Sequence, residues 1–390
     1  MKIVHLCISA PYIDNWGYQE NLLPNYLNTD SVENFVVACK NVYPTYLQKN
    51  QIKAIQAKGD IYQIEGVKIY RISCSKITTT FIIPYGLKQV LKQIKPDVIF
   101  HHGINSSSLL IASLYAKHNK CLIMADNHAD DLNISRNRFW NIIYHKILVR
   151  YTIRFFCDNV QKFYGVTNAR CRFLSEYYKI NQSKIDFLPI GADIKKALGL
   201  ATKEDLRRKY GFNISDKILI SGGKMGVEKG TDKLISAVNS LNKDKIDIKL
   251  VLFGKFEDQY TEKLARGHDY IYNFGWCDRK KTLELLKLAD IACWPVHHTT
   301  LIEDSISVLT PLMLRKTSTT EHLIRNNGFW INGDLVQLLH LFWSDKCLES
   351  TLREGCEDMC LRLSYSTLAK KIITDINLIQ KSNDVTVSKN

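Results

Sequence analysis

Long apolar runs are missing from this chain. No stretch approaches the roughly 18 consecutive apolar residues of a membrane-spanning helix, so no span is expected. The opening run Ile3–Ile8 is too short for a secretory leader and leads at once into Asp14 and Asn15; it predicts a first buried strand instead. Paired cysteines are missing as well. The eleven cysteines are an odd number with no CxxC spacing, and several, such as Cys121 and Cys293, sit inside apolar strand-like runs. That pattern predicts free thiols in a reducing compartment and excludes a disulfide scaffold. Acid is in short supply: 53 Lys+Arg face 39 Asp+Glu, a net charge of +14. Such an excess concerns partners, namely phosphates or anionic surfaces, and not fold. No recognisable nucleic-acid-binding module accompanies it, so no nucleic acid partner is expected. The expected location is cytoplasmic, with peripheral contact to the inner face of a membrane.

What is present is a chain of 390 residues with 45% hydrophobic and 24% charged residues. That is enough for about two to three domains with large cores that need neither disulfide nor metal. Short apolar runs alternate with amphipathic segments. Strands are predicted at Ile3–Ile8, Phe35–Ala38, Val67–Ile72, Val98–Phe100, Cys121–Ala125, Phe163–Val166 and Asp186–Pro189. The alternation then restarts, with strands at Ile218–Ser221, Lys249–Phe253, Ile291–Trp294, Leu312–Leu314 and Phe329–Ile331, and helices that include Thr231–Leu241, Lys281–Leu288 and one near Glu321–Arg325. Two such alternations predict an α/β chain of two doubly wound domains with mostly parallel sheets. The expected division is 1–194 and 195–363, with a C-terminal helix over 364–381 that packs back on the first domain. In such sheets ligands bind at the carboxyl ends of the strands.

Three stretches there carry candidate chemistry. Ser221–Gly230 (SGGKMGVEKG) follows a strand and opens a helix. Its glycines let a ligand approach the backbone, the helix start favours an anion, and Lys224 and Lys229 add charge for a diphosphate; the other reading is a plain glycine turn. The spacing matches neither a Walker A loop nor a dinucleotide fingerprint. Asp126–Asp131 (DNHADD) follows another strand. A metal reading finds no completed ligand set elsewhere, so no metal site is expected; His128 as a polar site residue or a helix-capping turn are the alternatives. Arg136–Phe156 is basic and amphipathic. Lys146, Arg150 and Arg154 recur every fourth residue on one helical face, and residues 136–184 hold ten basic and two acidic residues. Either an anionic lipid surface or solvent faces that side.

At this point a resemblance becomes specific. Gly223-Lys224 through Glu228-Lys229-Gly230 resembles the G-R-L-x-x-E-K-G segment of glycosyltransferase family 4 (group 1). The order continues on both sides. Phe187–Asp193 resembles that family's interdomain V-I-P-N-G-V-D, and Leu250–Gly254 its L-V-I-V-G. Phe274-Gly275-Trp276 with Ala289-Asp290, then Trp294-Pro295, then Asn327–Phe329 and Asn332–Asp334 follow in the family's order. The match runs from about residue 186 to 340; earlier it comprises the opening strand, the Gly17 loop and Lys95–Ile99.

The resemblance implies a GT-B fold, two doubly wound Rossmann-like domains facing a central cleft. It implies a retaining, metal-independent hexosyltransferase that uses a UDP- or GDP-linked sugar as co-substrate, with no further cofactor. The acceptor it implies is a glycan or a lipid-pyrophosphate-linked chain, in cell-surface polysaccharide biosynthesis. Carried over by position, Lys224 and Lys229 hold the donor diphosphate and stabilise charge on the leaving phosphate. Gly17, Gly223, Gly254 and Trp276 belong to the donor site. His128 faces the reacting sugar. The family's paired glutamates are altered: Glu303 or Asp304 stands at the ribose-binding second position, while His298 or Thr299 stands where the first glutamate contacts the sugar. That loss, with Lys224 in place of the usual arginine, leaves two alternatives, a non-catalytic GT-B partner subunit that binds a glycan or another glycosyltransferase, and a nucleotide-sugar epimerase of the same fold.

Overall fold

Runs of branched and aromatic residues that are apolar on both faces pair in parallel and are covered on both sides by helices. The computed structural model shows two such assemblies. It describes residues 1–44, 47–77, 82–104, 107–128, 153–154, 157–345 and 347–387, without the side chains of 157 and 383–387. The chain divides into a first unit, 1–189 with the residues from Leu368 on, and a second unit, Ile190–Thr367.

The first unit contains β1 (Lys2–Cys7), β2 (Glu33–Cys39), β3 (Ile61–Ile64), β4 (Val67–Ile72), β5 (Cys74–Lys76), β6 (Ile82–Pro84), β7 (Val98–His102), β8 (Leu122–Asn127), β9 (Lys162–Gly165) and β10 (Ile185–Phe187). Eight of these form one sheet in the order β10-β9-β8-β7-β1-β2-β4-β3. Every pairing is parallel except β3 with β4; β5 and β6 form a separate antiparallel hairpin. The strand order reverses between β1 and β7, which makes the carboxyl ends of those two strands the expected ligand position. The last helix, Tyr365–Val387, contributes to this unit from Leu368 on. Tyr164 donates its hydroxyl to Asp375 at 2.7 Å, and Lys371 donates to Asp186 at 2.6 Å.

The second unit has β11 (Lys217–Met225), β12 (Ile248–Phe256), β13 (Ile271–Asn273), β14 (Ile291–Trp294), β15 (Leu312–Leu314) and β16 (Gly328–Trp330). All pairings are parallel, in the order β13-β12-β11-β14-β15-β16, with the reversal between β11 and β14. The two-residue period is visible in the packing. Ile218, Ile220, Val251, Ala292, Leu312 and Leu314 enter one core cluster, while Leu219, Leu250, Leu252, Ile291, Cys293 and Met313 enter the other. Gly191 packs against the Tyr365 ring, where a Cβ would lie 2.7 Å from ring carbons; Ala192 donates its N–H to the Leu363 carbonyl.

Two expectations change. The helix near Glu321–Arg325 is a series of turns, held by Thr320, whose hydroxyl donates to the Arg315 carbonyl, and by Asn327, whose side chain accepts from the Arg325 N–H. These side chains compete with helical hydrogen bonding for the same backbone groups. The strand expected at Ile218–Ser221 runs on to Met225, because β12 is equally long and pairs with it residue for residue up to Phe256.

A buried polar network pins the loop after β1. Asp14 accepts from Arg71 at 2.8 Å, from Lys58 at 2.9 Å and from the Tyr62 hydroxyl at 2.8 Å. Arg71 also donates to the carbonyls of Tyr12 and Cys39. Breaking a buried pair from one side leaves its partner's charge uncompensated. Arg71→Ala is therefore expected to cost roughly 3–5 kcal/mol of stability, read as a lowered urea midpoint. A loss below about 1 kcal/mol, the range of exposed ion pairs, would show that the network does not hold the loop.

Candidate functional site

In the second unit the carboxyl ends of β11, β12 and β13 present bare backbone. Gly223 and Gly254 are register partners. Both have positive φ, +99° and +112°, and a Cβ on Gly254 would lie 2.0 Å from the Gly223 carbonyl oxygen. Gly254 in turn donates its N–H to the Gly275 carbonyl at 2.7 Å. Side chains are excluded here for steric reasons, so a ligand can rest on main chain. Beside this floor stand Leu301 and Thr299, both within 4.0 Å of where a Gly223 Cβ would be. Trp276, next to Gly275, is 71% exposed.

Lys229 ends a short 3-10 turn, Val227–Lys229, that leads through Gly230 into helix Thr231–Lys243. It is half-buried. Burial and the Lys229 charge together push His297 below its ordinary value, with Glu228 opposing. Lys224 differs from expectation. It lies within β11, beyond the expected strand end at Ser221, its side chain is 73% exposed, and its ammonium sits 3.3 Å from Glu257.

The altered glutamate position is built from helix Leu301–Ser307. Glu303 is 1% exposed, and one of its carboxylate oxygens meets His298 Nε2 at 2.8 Å. Its second oxygen, Oε2, is buried with no hydrogen-bond partner among the described residues. His298 thus closes on Glu303 instead of standing apart from it. Asp304 is ion-paired with Arg279, which also lies 3.7 Å from Asp193. Burial pushes the Asp304 carboxyl up, Arg279 draws it back, and Glu303 adds to the rise. Arg279 was not expected; a lone arginine at a helix start gives no signal in sequence. A cavity of about 840 Å³ opens beside Pro295 and Val296, lined also by Asp232, Lys233, Arg315 and Lys316. Of the motif residues, Pro295 and Asn332–Asp334 line it, while Lys224, Lys229, Trp276 and Glu303 do not.

In the first unit, Gly17 lies half-buried in the loop after β1 that Asp14 anchors. His128 follows β8 directly. Asp126 and Asn127 are buried strand residues, not members of a capping turn. Asp126 accepts from His102 Nδ1 at 2.7 Å and from the Gly103 N–H at 2.8 Å, and its other contact is His128 Nε2 at 3.5 Å. Burial pushes this carboxyl up, but His102 and His128 outweigh burial and hold it well below the usual carboxylate range. Conversely, burial lowers His128 while Asp126 raises it further, and the net direction is up. Behind them, His5 Nδ1 meets His102 Nε2 at 3.1 Å, and His5 Nε2 meets Asn34 Oδ1 at 3.1 Å. His5 interrupts an apolar run, and a His-His pair ends the run Val98–Phe100; these were the signals available in the sequence. Asp130, Asp131, Lys146 and Arg150 fall outside the described residues, as does most of the basic stretch. Arg154 is exposed. Among the described residues no group of three metal-ligating side chains occurs, and no helix is long and apolar enough to cross a membrane.

Burial lowers His5 to about 3, with His102 adding to the fall, and lowers His101 to about 4. Below the ordinary histidine value of 6.5 the unfolded chain binds these protons while the folded chain does not. Stability is therefore expected to decline as pH falls from 6.5 towards 4, by up to about 1.4 kcal/mol per pH unit for each histidine. Urea unfolding at pH 7 and pH 5 measures this, and His101→Gln should flatten the slope. A stability independent of pH across that window would contradict the buried neutral assignment.

Comparison with known proteins agrees with this geometry. Residues 202–308 match the model of the family "Glycosyl transferases group 1". No curated protein matches the chain in sequence. Among solved structures, a glycosyltransferase from Rickettsia africae superposes with a TM-score of 0.70 at 16% identity, over 97% of this chain and 98% of that one. Anabaena HepE, solved in complex with UDP and glucose, gives 0.67 at 12% identity, over 97% and 99%. Sucrose-phosphate synthase from Thermosynechococcus elongatus gives 0.69 at 12% identity, over 98% and 100%. The fold is GT-B, and the resemblance carried by the motifs is to the group 1 glycosyltransferases.

Proposed function

From a GT-B fold with a group 1 glycosyltransferase segment at residues 202–308, we propose that this chain transfers a sugar from a nucleoside-diphosphate donor. The observation that supports this best is the bare floor of Gly223, Gly254 and Gly275, with Leu301 and Thr299 at its side. The second unit takes the donor and the first takes the acceptor. Trp276 offers an exposed ring on which a nucleobase can stack. Glu303 keeps one oxygen for a ribose hydroxyl. Lys229 carries most of the diphosphate charge, because Lys224 already has Glu257 beside it. Transfer proceeds with retention, without a metal, and without a cofactor other than the UDP- or GDP-linked co-substrate. The acceptor is a glycan on a lipid pyrophosphate at the inner face of the membrane, as part of cell-surface polysaccharide synthesis; this rests on the basic stretch and the family resemblance. His128 is the polar group that faces the reacting sugar.

Two contacts favour a second reading. His298 satisfies one oxygen of Glu303 and Glu257 partly satisfies Lys224, as in a site that no longer turns over, which suits a non-catalytic partner subunit.

Titration of the full chain with UDP and with GDP separates these. Binding of one nucleotide is expected, and Lys229→Ala should weaken it about tenfold or more, a loss of about 1.4 kcal/mol or greater. Unaltered affinity in that variant would remove Lys229 from the site. Nucleotide binding without nucleotide release from any donor sugar favours the partner-subunit reading.

A further inference from the structure

The strongest unassigned feature is the buried file Asn34, His5, His102, Asp126 and His128, at the strand reversal of the first unit. Each link joins neighbouring elements. His5 is on β1, beside β2 and β7; His102 and Asp126 are register partners across β7 and β8. His5, Asn34, His102 and Asp126 are all 0% exposed. Both outer oxygens of the hydrogen-bonded part, Asn34 Oδ1 and ionised Asp126 Oδ2, only accept. Its three hydrogen bonds therefore need a hydrogen each on three ring nitrogens of His5 and His102. Two neutral imidazoles carry two between them. The Asn34 amide so oriented also leaves its Nδ2 buried without a partner among the described residues; with the amide turned, its NH2 donates to His5 Nε2, and the two neutral imidazoles supply the two remaining hydrogens along the file to Asp126.

We propose that His102 and Asp126 are positioning residues for His128, with His5 and Asn34 fixing the ring of His102 from behind. The assembly presents the His128 imidazole at the carboxyl edge of the sheet in one orientation, with its Nε2 towards Asp126 and a hydrogen on that nitrogen. The role at a reacting sugar rests on the glycosyl-transfer reading above; the positioning itself does not. Among the described residues, the charged or titratable groups around His128 are Asp126 on β8, Glu20 on the helix Gln19–Leu27 and Arg170 on the helix Asn168–Glu176, with His102 on β7 acting through Asp126. Of these, Asp126 and Glu20 favour the protonated ring and Arg170 opposes it.

A histidine-ring NMR titration of the full chain tests this, with His128→Gln to identify the signal. The His128 midpoint is expected above 6.5 in the native chain. In Asp126→Asn only Glu20 is left against burial and Arg170, and the midpoint should fall below 6.5, a loss of about tenfold or more in proton affinity. His102→Phe removes a donor from Asp126, leaves the carboxylate less satisfied, and should raise the midpoint; His102→Gln restores a donor and should return it to the native value. A native midpoint at or below 6.5 overturns the proposal without any variant of the file. So does an unchanged midpoint in Asp126→Asn, or identical shifts in His102→Phe and His102→Gln. No nucleotide or donor is needed, so this result stands apart from any failure of the glycosyl-transfer reading.

Discussion

Parallel pairing puts the carboxyl ends of all the paired strands on one edge of a sheet, and both units depend on that constraint. Crossovers return each strand in the same direction, so the loops that follow β1, β7 and β8, or β11, β12 and β14, gather on one side. The buried strands leave polar groups only one place to emerge. Asp126, Gly103 and His128 gather there in the first unit, and Gly223, Gly254, Gly275 and Glu303 in the second. In each unit the polar chemistry is confined to that one edge of its own sheet.

Burial then decides what the polar groups do there. A carboxylate in the core stays ionised only when donors surround it. Asp126 has His102 and the Gly103 N–H around it and is held well below the usual carboxylate range. Asp304, with Arg279 on it but Glu303 beside it, is pushed the other way. The residues that tune the site are thus mostly residues that never touch solvent. Both glycines at the β11 and β12 ends act by the same logic in reverse: each removes a side chain so that main chain can be approached.

Much of the architecture was legible in local pattern. Ile291–Trp294 and Leu312–Leu314 coincide with β14 and β15, because an apolar run of that length buries itself wherever it lies, and Val67–Ile72 coincides with β4, whose branched and aromatic residues are buried around an exposed Lys68. The strand β3 escaped, since its alternately exposed residues belong to an antiparallel edge. The stretch Glu321–Arg325 misled, because threonine and asparagine side chains took over its backbone hydrogen bonds. At the candidate site, the glycine-rich stretch after β11 stood out locally, while the roles of Lys229 and the glycines came from the family resemblance. The strand before Lys224 was expected to end at Ser221 because the pairing of β11 with a long β12 is a property of two segments, and one segment does not reveal it.

By itself the sequence determined the class of each segment, the two rounds of strand and helix, and the order of motifs along the second unit. These are set by short-range periodicity and by residues close together in the chain. Only the tertiary structure decided the partnerships. His5 meets His102 across 97 positions and Arg71 meets Asp14 across 57; Arg279 meets Asp304 across 25. Which strand lies beside which depends on crossover topology, a long-range consequence of packing helices on both faces of a sheet. For that reason Asp126 read alone looks like part of a polar turn, and in the fold it is the buried charge around which a histidine file is arranged.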